Sequence, residues 1–256
     1  MLIDSHCHLD FPGLVDALPD VLLRMENAGV GAALCVAVNL EDGQKIIDIA
    51  ASSPKLFATV GVHPEYTDVE EPTVERLLAL AEHAKVVAIG ETGLDYYWHK
   101  DKPAWQRERF RVHIRAAKAS GKPLVVHTRD SAVDTLKLMK EEDADAVGGV
   151  MHCFTENWEI AQQALDLGFH LSFSGIVTFK NASVVKDVAQ RCPIDRLLIE
   201  TDSPYLTPTP YRGKPNQPAY VRHVAEEIAK LRACSLEALA HATTNNFNAL
   251  FKTSIN

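Results

Sequence analysis

The chain has 256 residues, 46% of them hydrophobic and 23% charged, values of an ordinary core-forming protein that exclude intrinsic disorder, collagen-like repeats and low-complexity character. At about 150 residues per domain this length fits one large domain or two ordinary ones. A formal net charge of −8 excludes a surface that grips nucleic acid over its whole extent, so a polyanionic ligand would have to be met locally.

In chain order, apolar runs and helical spacings predict a strand at Leu2–Cys7, a helix at Leu14–Asn27, strands at Val30–Val38 and Leu56–Val62, and a helix at Thr73–His83. A strand at Val86–Gly90, a helix at Ala104–Ser120, a strand at Pro123–Val126, a helix at Ser131–Glu141 and a strand at Val147–Met151 come next. A helix at Trp158–Leu167, a strand at Phe169–Phe173, a helix at Ala182–Gln190 and a strand at Arg196–Ile199 complete the alternation. A Pro-rich loop, Ser203–Pro218, then leads to two closing helices at about Pro218–Arg232 and Leu236–Phe251. The strands are Val/Ile/Leu-rich with little polar alternation, as parallel strands covered on both faces should be. Eight βα repeats in this length are the arithmetic of an α/β fold, the (β/α)8 TIM barrel, expected as a single domain over residues 1–256 with extra C-terminal helices. A doubly wound open sheet is the alternative. No apolar run approaches the roughly 18 to 20 residues of a membrane span, and MLIDSHCHLD is ionisable by position 4, so neither anchor nor signal peptide is expected. Five scattered cysteines without a CxxC read as reduced thiols in a cytoplasmic protein.

Eleven histidines are the compositional oddity. His6 and His8 end the first strand one residue apart, so period-two alternation sends both to one face, their Cα atoms about 6 to 7 Å apart. Cys7 points the other way, and Asp4, on the imidazole face, could order a ligand from behind. Glu91 follows VVAIG, His127 follows PLVV, His152 follows GGVM and Asp202 follows LLIET. Each stands at the C-terminal end of a predicted strand, the end where barrel enzymes place their chemistry. Four imidazoles and two carboxylates exceed the three protein ligands usual for one catalytic zinc. Two divalent ions are therefore expected, joined by Glu91 or Asp202, since a carboxylate bridges where an imidazole does not, at about 3.5 to 4 Å. Mixed nitrogen and oxygen ligation suits Zn, Mn, Fe or Co better than Mg alone; the expected pair comes from Zn, Mn, Mg or Co. His63, in GVHP, points at the same mouth, as a substrate contact or a helix-entry residue.

The loops after the strands carry Lys100, Lys102, Arg129, Lys180, Arg212 and Lys214, a local cationic set that could meet phosphate. They also carry Tyr96, Tyr97, Trp98, Phe154, Phe179, Tyr205 and Tyr211, aromatic surface on which an unpaired base could stack. The bland alternative is a loop surface whose aromatics pack down and whose charges are solvated, because Glu65, Asp95, Asp101, Asp130 and Glu156 share these segments.

The ordered motifs SHCHLD, GVHP, IGETGLDYY, VVHTRD, HCFT, FSG, ETDSPYL and RGKPNQP resemble the TatD-type metal-dependent deoxyribonucleases of the amidohydrolase superfamily, above all their bacterial YcfH-like branch. The resemblance covers nearly the whole chain. It implies a (β/α)8 barrel in which His6, His8, Glu91, His127, His152 and Asp202 bind metal, with Glu91 bridging and Asp202 the base that activates water. It further implies that His63, Arg129 and the loop around Arg212, with Lys214, lie near the substrate. The expected activity is hydrolysis of a phosphodiester, single-stranded DNA from its 3′ end, by metal-activated water, without membrane or obligate protein partner. An amidohydrolase or lactonase acting on a small neutral substrate is the first alternative, because the same metals polarise a carbonyl. A barrel that binds nucleic acid or a partner without catalysis is the second.

Overall fold

The structure, a computed structural model, describes residues 1–255. Along it run β1 (Leu2–Cys7), α1 (Leu18–Asn27), β2 (Val30–Cys35), α2 (Gly43–Ala51), β3 (Leu56–Val60), α3 (Val74–Ala81) and β4 (Val86–Asp95). They are followed by α4 (Ala104–Ser120), β5 (Leu124–Arg129), α5 (Ala132–Glu141), β6 (Gly149–Met151), α6 (Trp158–Asp166) and β7 (His170–Phe173). The chain closes with α7 (Ser183–Arg191), β8 (Leu197–Ile199), α8 (Val221–Leu231) and α9 (Leu236–Phe251). The strands take the chain order β1-β2-β3-β4-β5-β6-β7-β8 in an eight-stranded sheet, pairing in parallel. This is the (β/α)8 barrel, with α8 and α9 after the last strand. β1, β6, β7 and β8 are buried along their whole length, which accounts for the apolar sequence of β6 and β8, while β1 and β7 also bury the polar residues Asp4, Ser5, His6, His170 and Ser172. Among the described residues no helix is long and apolar enough to cross a membrane.

The residues cluster into two compact units. The first holds Met1–Cys35, Cys153–Ala161 and the chain from Leu171 onward. In it the Ser5 hydroxyl donates to the Ile199 carbonyl at 2.9 Å, tying β1 to β8. The Asn246 amide of α9 donates to Ile194 and Leu197 carbonyls at 2.7 and 2.8 Å, satisfying acceptors at the start of β8 that would be costly to bury unpaired. The second unit holds Val36–His152 and Gln162–His170. In it α4 turns a buried polar stripe, Gln106, Arg109 and His113, toward the loop after β3. Spacings of three and four residues put these side chains on one helix face. Arg109 donates to the carbonyls of His63 and Tyr66 at 3.2 and 2.7 Å and pairs with Glu71. Gln106 donates to the Pro64 carbonyl at 2.8 Å, and His113 Nε2 accepts from the Val62 N–H at 3.0 Å.

Candidate metal centre

In the first unit the rings of His6 and His8 stand edge to face, 5.1 Å between centroids, on the shared face that strand alternation dictates. Both Nε2 atoms face one oxygen, Asp202 Oδ1, at 3.7 Å from His6 and 3.3 Å from His8. Asp202 occupies the left-handed region at φ +57, a conformation a non-glycine residue keeps only when its surroundings impose it. Its N–H donates to the His6 carbonyl at 2.9 Å, and its own carbonyl accepts from Tyr205 at 2.9 Å. Thr201 donates its N–H and hydroxyl to the Asp4 carboxylate at 2.8 and 2.6 Å. Asn216 donates its amide to the Thr201 and Tyr205 carbonyls at 2.9 and 2.6 Å. Asp4 was expected to order an imidazole; it holds the Thr201 main chain instead, and so fixes the turn that presents Asp202. Burial pushes the Asp4 carboxyl well above its ordinary range, against the pull of the Thr201 bonds. Cys7 does point away from the imidazoles, its thiol donating to the Leu34 carbonyl at 3.3 Å, and burial pushes that thiol up.

In the second unit β4 carries the carboxylate. Gly90 and Gly93 adopt φ +143 and +137, and a Cβ at either would run into the backbone of Val125 or His127. Only glycine lets β4 approach β5 so closely, and the ladder continues through Thr92↔Val126 to Asp95↔Arg129. Glu91, 3% exposed, faces three imidazoles with one oxygen, Oε1: His63 Nε2 at 3.2 Å, His127 Nδ1 at 3.2 Å and His152 Nε2 at 2.7 Å.

The tautomers separate these histidines by role. His63 Nδ1 accepts from the Glu65 N–H at 3.1 Å, so its proton resides on Nε2 and is donated to Glu91. His127 is the reverse: Nε2 donates to Asp95 Oδ2 at 2.9 Å, because an ionised carboxylate can only accept. The neutral ring then aims an Nδ1 lone pair at a carboxylate oxygen 3.2 Å away. Two acceptors at that distance call for a positive centre between them, a metal ion or, without one, the proton of an imidazolium. Burial opposes the imidazolium of His127, but Asp95 and Glu91 together outweigh it and raise its pKa. At His63 burial wins over Glu91 and lowers the pKa. Burial would raise Asp95, yet the bonds from His127 and the Trp98 N–H hold it below the usual carboxylate range.

The donor set fits a divalent metal. Ligands bound at about 2.0 to 2.2 Å in a tetrahedron lie about 3.3 to 3.6 Å from one another. His8 and Asp202 at 3.3 Å and His127 and Glu91 at 3.2 Å come within a tenth of an ångström of that edge, with His6 and Asp202 slightly wider at 3.7 Å and His152 and Glu91 closer, at 2.7 Å. The carboxylate–histidine pair Asp95–His127 is the arrangement that fixes a ligating imidazole from behind.

Among the expected substrate contacts, Arg129 stacks on Tyr97, its guanidinium carbon 3.8 Å from the ring centre. Arg212 covers Phe179 at 3.6 Å, and the Lys214 ammonium lies 5.9 Å from the Tyr211 ring. The loop aromatics divide. Tyr96 and Phe154 are buried in the core, the Tyr96 hydroxyl bonding Asp134 at 2.8 Å, and Tyr211 stacks on Tyr220 at 4.4 Å. Tyr97, Trp98 and Tyr205 stay exposed. Sequence reasoning missed Asp95 and the stripe on α4; the spacing of Gln106, Arg109 and His113 between Phe110 and Ile114 was the available signal.

A family profile described as TatD related DNase matches residues 3–252. The chain is 47% identical to the uncharacterized metal-dependent hydrolase YcfH of Escherichia coli (strain K12), over 98% of this chain and 95% of that protein. It is 42% identical to the uncharacterized metal-dependent hydrolase YabD of Bacillus subtilis (strain 168), over 98% and 99%. The crystal structure of YjjV, a TatD homolog from Escherichia coli K12, superposes with a TM-score of 0.92 at 30% identity, covering 99% of this chain and 98% of that one. The chain belongs to the TatD family of metal-dependent hydrolases.

Proposed function

We propose that this TatD-family hydrolase is a phosphodiesterase that cuts single-stranded DNA from its 3′ end. His6, His8, Glu91, His127, His152 and Asp202 would hold two divalent ions, at the strand ends where (β/α)8 barrels keep their chemistry. The observation that carries the reading is the carboxylate–imidazole pairing, above all His127, held from behind by Asp95 at 2.9 Å with its Nδ1 turned to Glu91 at 3.2 Å. Bound divalent ions supply Lewis acidity, lowering the pKa of a water and screening phosphoryl oxygens. The two carboxylates divide the remaining work by exposure. Glu91, 3% exposed, would be a buried ligand of the ions, whereas the Asp202 side chain, 16% exposed, is open to water and would accept its proton. Asp95 orients His127, and His63 donates its Nε2 proton to Glu91 and borders the substrate. Arg129, Arg212 and Lys214 are exposed and pair with no carboxylate among the described residues; they are cations available to a phosphate.

Charge reversal tests the substrate class. Arg212→Glu combined with Lys214→Glu should lower kcat/KM on a single-stranded oligonucleotide roughly a hundredfold, as losing desolvated charge contacts does. If the double variant cuts the strand as fast as the parent, Arg212 and Lys214 do not meet the phosphate; a parent that leaves the strand intact but hydrolyses a small neutral ester or lactone, at a rate the double variant keeps, would replace the phosphodiesterase reading.

A further inference from the structure

Tyr97 and Trp98 are 43% and 56% exposed, unusual for two large rings in succession. They are not loosely placed. One oxygen of Asp95, Oδ1, accepts the N–H of Tyr97 and of Trp98, both at 3.0 Å, and the Tyr96 N–H donates to the Arg129 carbonyl at 2.9 Å. The rings meet edge to face at 5.0 Å. The Arg129 guanidinium lies over Tyr97 at 3.8 Å and beside Trp98 at 6.0 Å. No carboxylate pairs with Arg129 among the described residues, so a planar cation and an indole face stand together, fixed by backbone hydrogen bonds and open to solvent. The other Asp95 oxygen, Oδ2, holds His127 at 2.9 Å. The carboxylate that aims a candidate metal ligand thus also fixes the platform.

We infer that Tyr97, Trp98 and Arg129 form a subsite that stacks one unpaired nucleobase of the substrate strand. The inference rests on the phosphodiesterase reading above and names what that site selects. A flat π-surface beside an unneutralised guanidinium fits a ligand that is planar and carries an adjacent anion, which a nucleotide supplies. Within a duplex both faces of a base are already stacked, so such a platform accepts only an unpaired one. It discriminates single strands through shape, with no base-specific hydrogen bond, and every base qualifies.

The test is equilibrium binding to the metal-free protein. Two 5′-labelled single strands of equal length and charge are compared by anisotropy, one of thymidine and one of abasic deoxyribose phosphate. Trp98 emission is read as the difference between the parent and Trp98→Phe. The thymidine strand should quench Trp98 and bind more tightly than the abasic one. Trp98→Ala should weaken the thymidine strand by roughly tenfold and leave the abasic strand unchanged, while Trp98→Phe, which keeps a ring, should retain most of the affinity. Equal affinity for the two strands, or a Trp98→Ala variant that binds thymidine like the parent, overturns the subsite. Cleavage is scored separately on metal-loaded enzyme. A strand bound in a base-dependent way but never cut contradicts the hydrolytic reading and upholds the platform; a strand cut without base-dependent binding does the opposite.

Discussion

Asp95 serves two neighbours with its two oxygens: Oδ2 accepts from His127 and Oδ1 from the backbone of Tyr97 and Trp98. An amide in its place has one acceptor oxygen and one donor nitrogen, so it can keep one of these sets and must lose the other. Asp95→Asn should therefore weaken divalent-metal binding about 10- to 100-fold, the usual cost of losing the group behind a ligating histidine. Competition against a chromogenic chelator measures this, and an unchanged metal Kd would remove Asp95 from the centre. The proposed ligands His6, His8, Glu91, His127, His152 and Asp202 stood out in the sequence because ligand-type residues came directly after apolar runs. Asp95 did not, because a carboxylate beyond such a run looks like any solvated loop charge; nothing in TGLD reveals that the strand has not yet ended.

β4 explains that blind spot. Its apolar run stops at Gly90, yet the strand reaches Asp95, since Gly90 and Gly93 let a polar stretch keep pairing with β5. The other strands and most helices were readable to within a few residues, because burial on both faces or one leaves a periodic mark. The helix at Gly43–Ala51 is the one that apolar spacing did not single out. α4 shows how function reaches an element through its packing. His113 is fully buried, donating Nδ1–H to the Arg109 carbonyl at 2.8 Å and accepting from Val62 at Nε2, an arrangement that suits only the neutral ring. Burial lowers its pKa from 6.5 to about 4, against the helping bond to Arg109. A folded pKa below the unfolded one means that the unfolded chain takes up the proton first as pH falls. The stabilisation is complete above pH 6.5 and lost progressively toward pH 4, about 3 kcal/mol in all. Urea midpoints measured from pH 7 downward should fall more steeply for the parent than for His113→Asn. Parallel curves would show that His113 does not titrate between those limits.

At the scale of the molecule, a chain of net charge −8 has few cations with which to displace counterions from a long duplex. Two of its exposed guanidinium groups are instead stacked on rings, Arg129 on Tyr97 and Arg212 on Phe179, an arrangement that would suit local contact with the proposed strand. The barrel was legible from the repeat of strand and helix alone. Its substrate was not, because the same fold and metals serve many reactions, and only loop side chains separate them. The central claim is metal-dependent phosphodiester hydrolysis with Asp202 as the base. Its most direct test follows a 5′-labelled single strand incubated with metal-stripped protein resupplied with Mg, Mn, Co or Zn, alongside Asp202→Asn. The expected result is no cleavage without metal, a ladder shortening from the 3′ end with metal, and a loss of at least about a hundredfold in turnover in the variant, with strand binding kept. An intact strand with every metal, or equal turnover in Asp202→Asn, would contradict it.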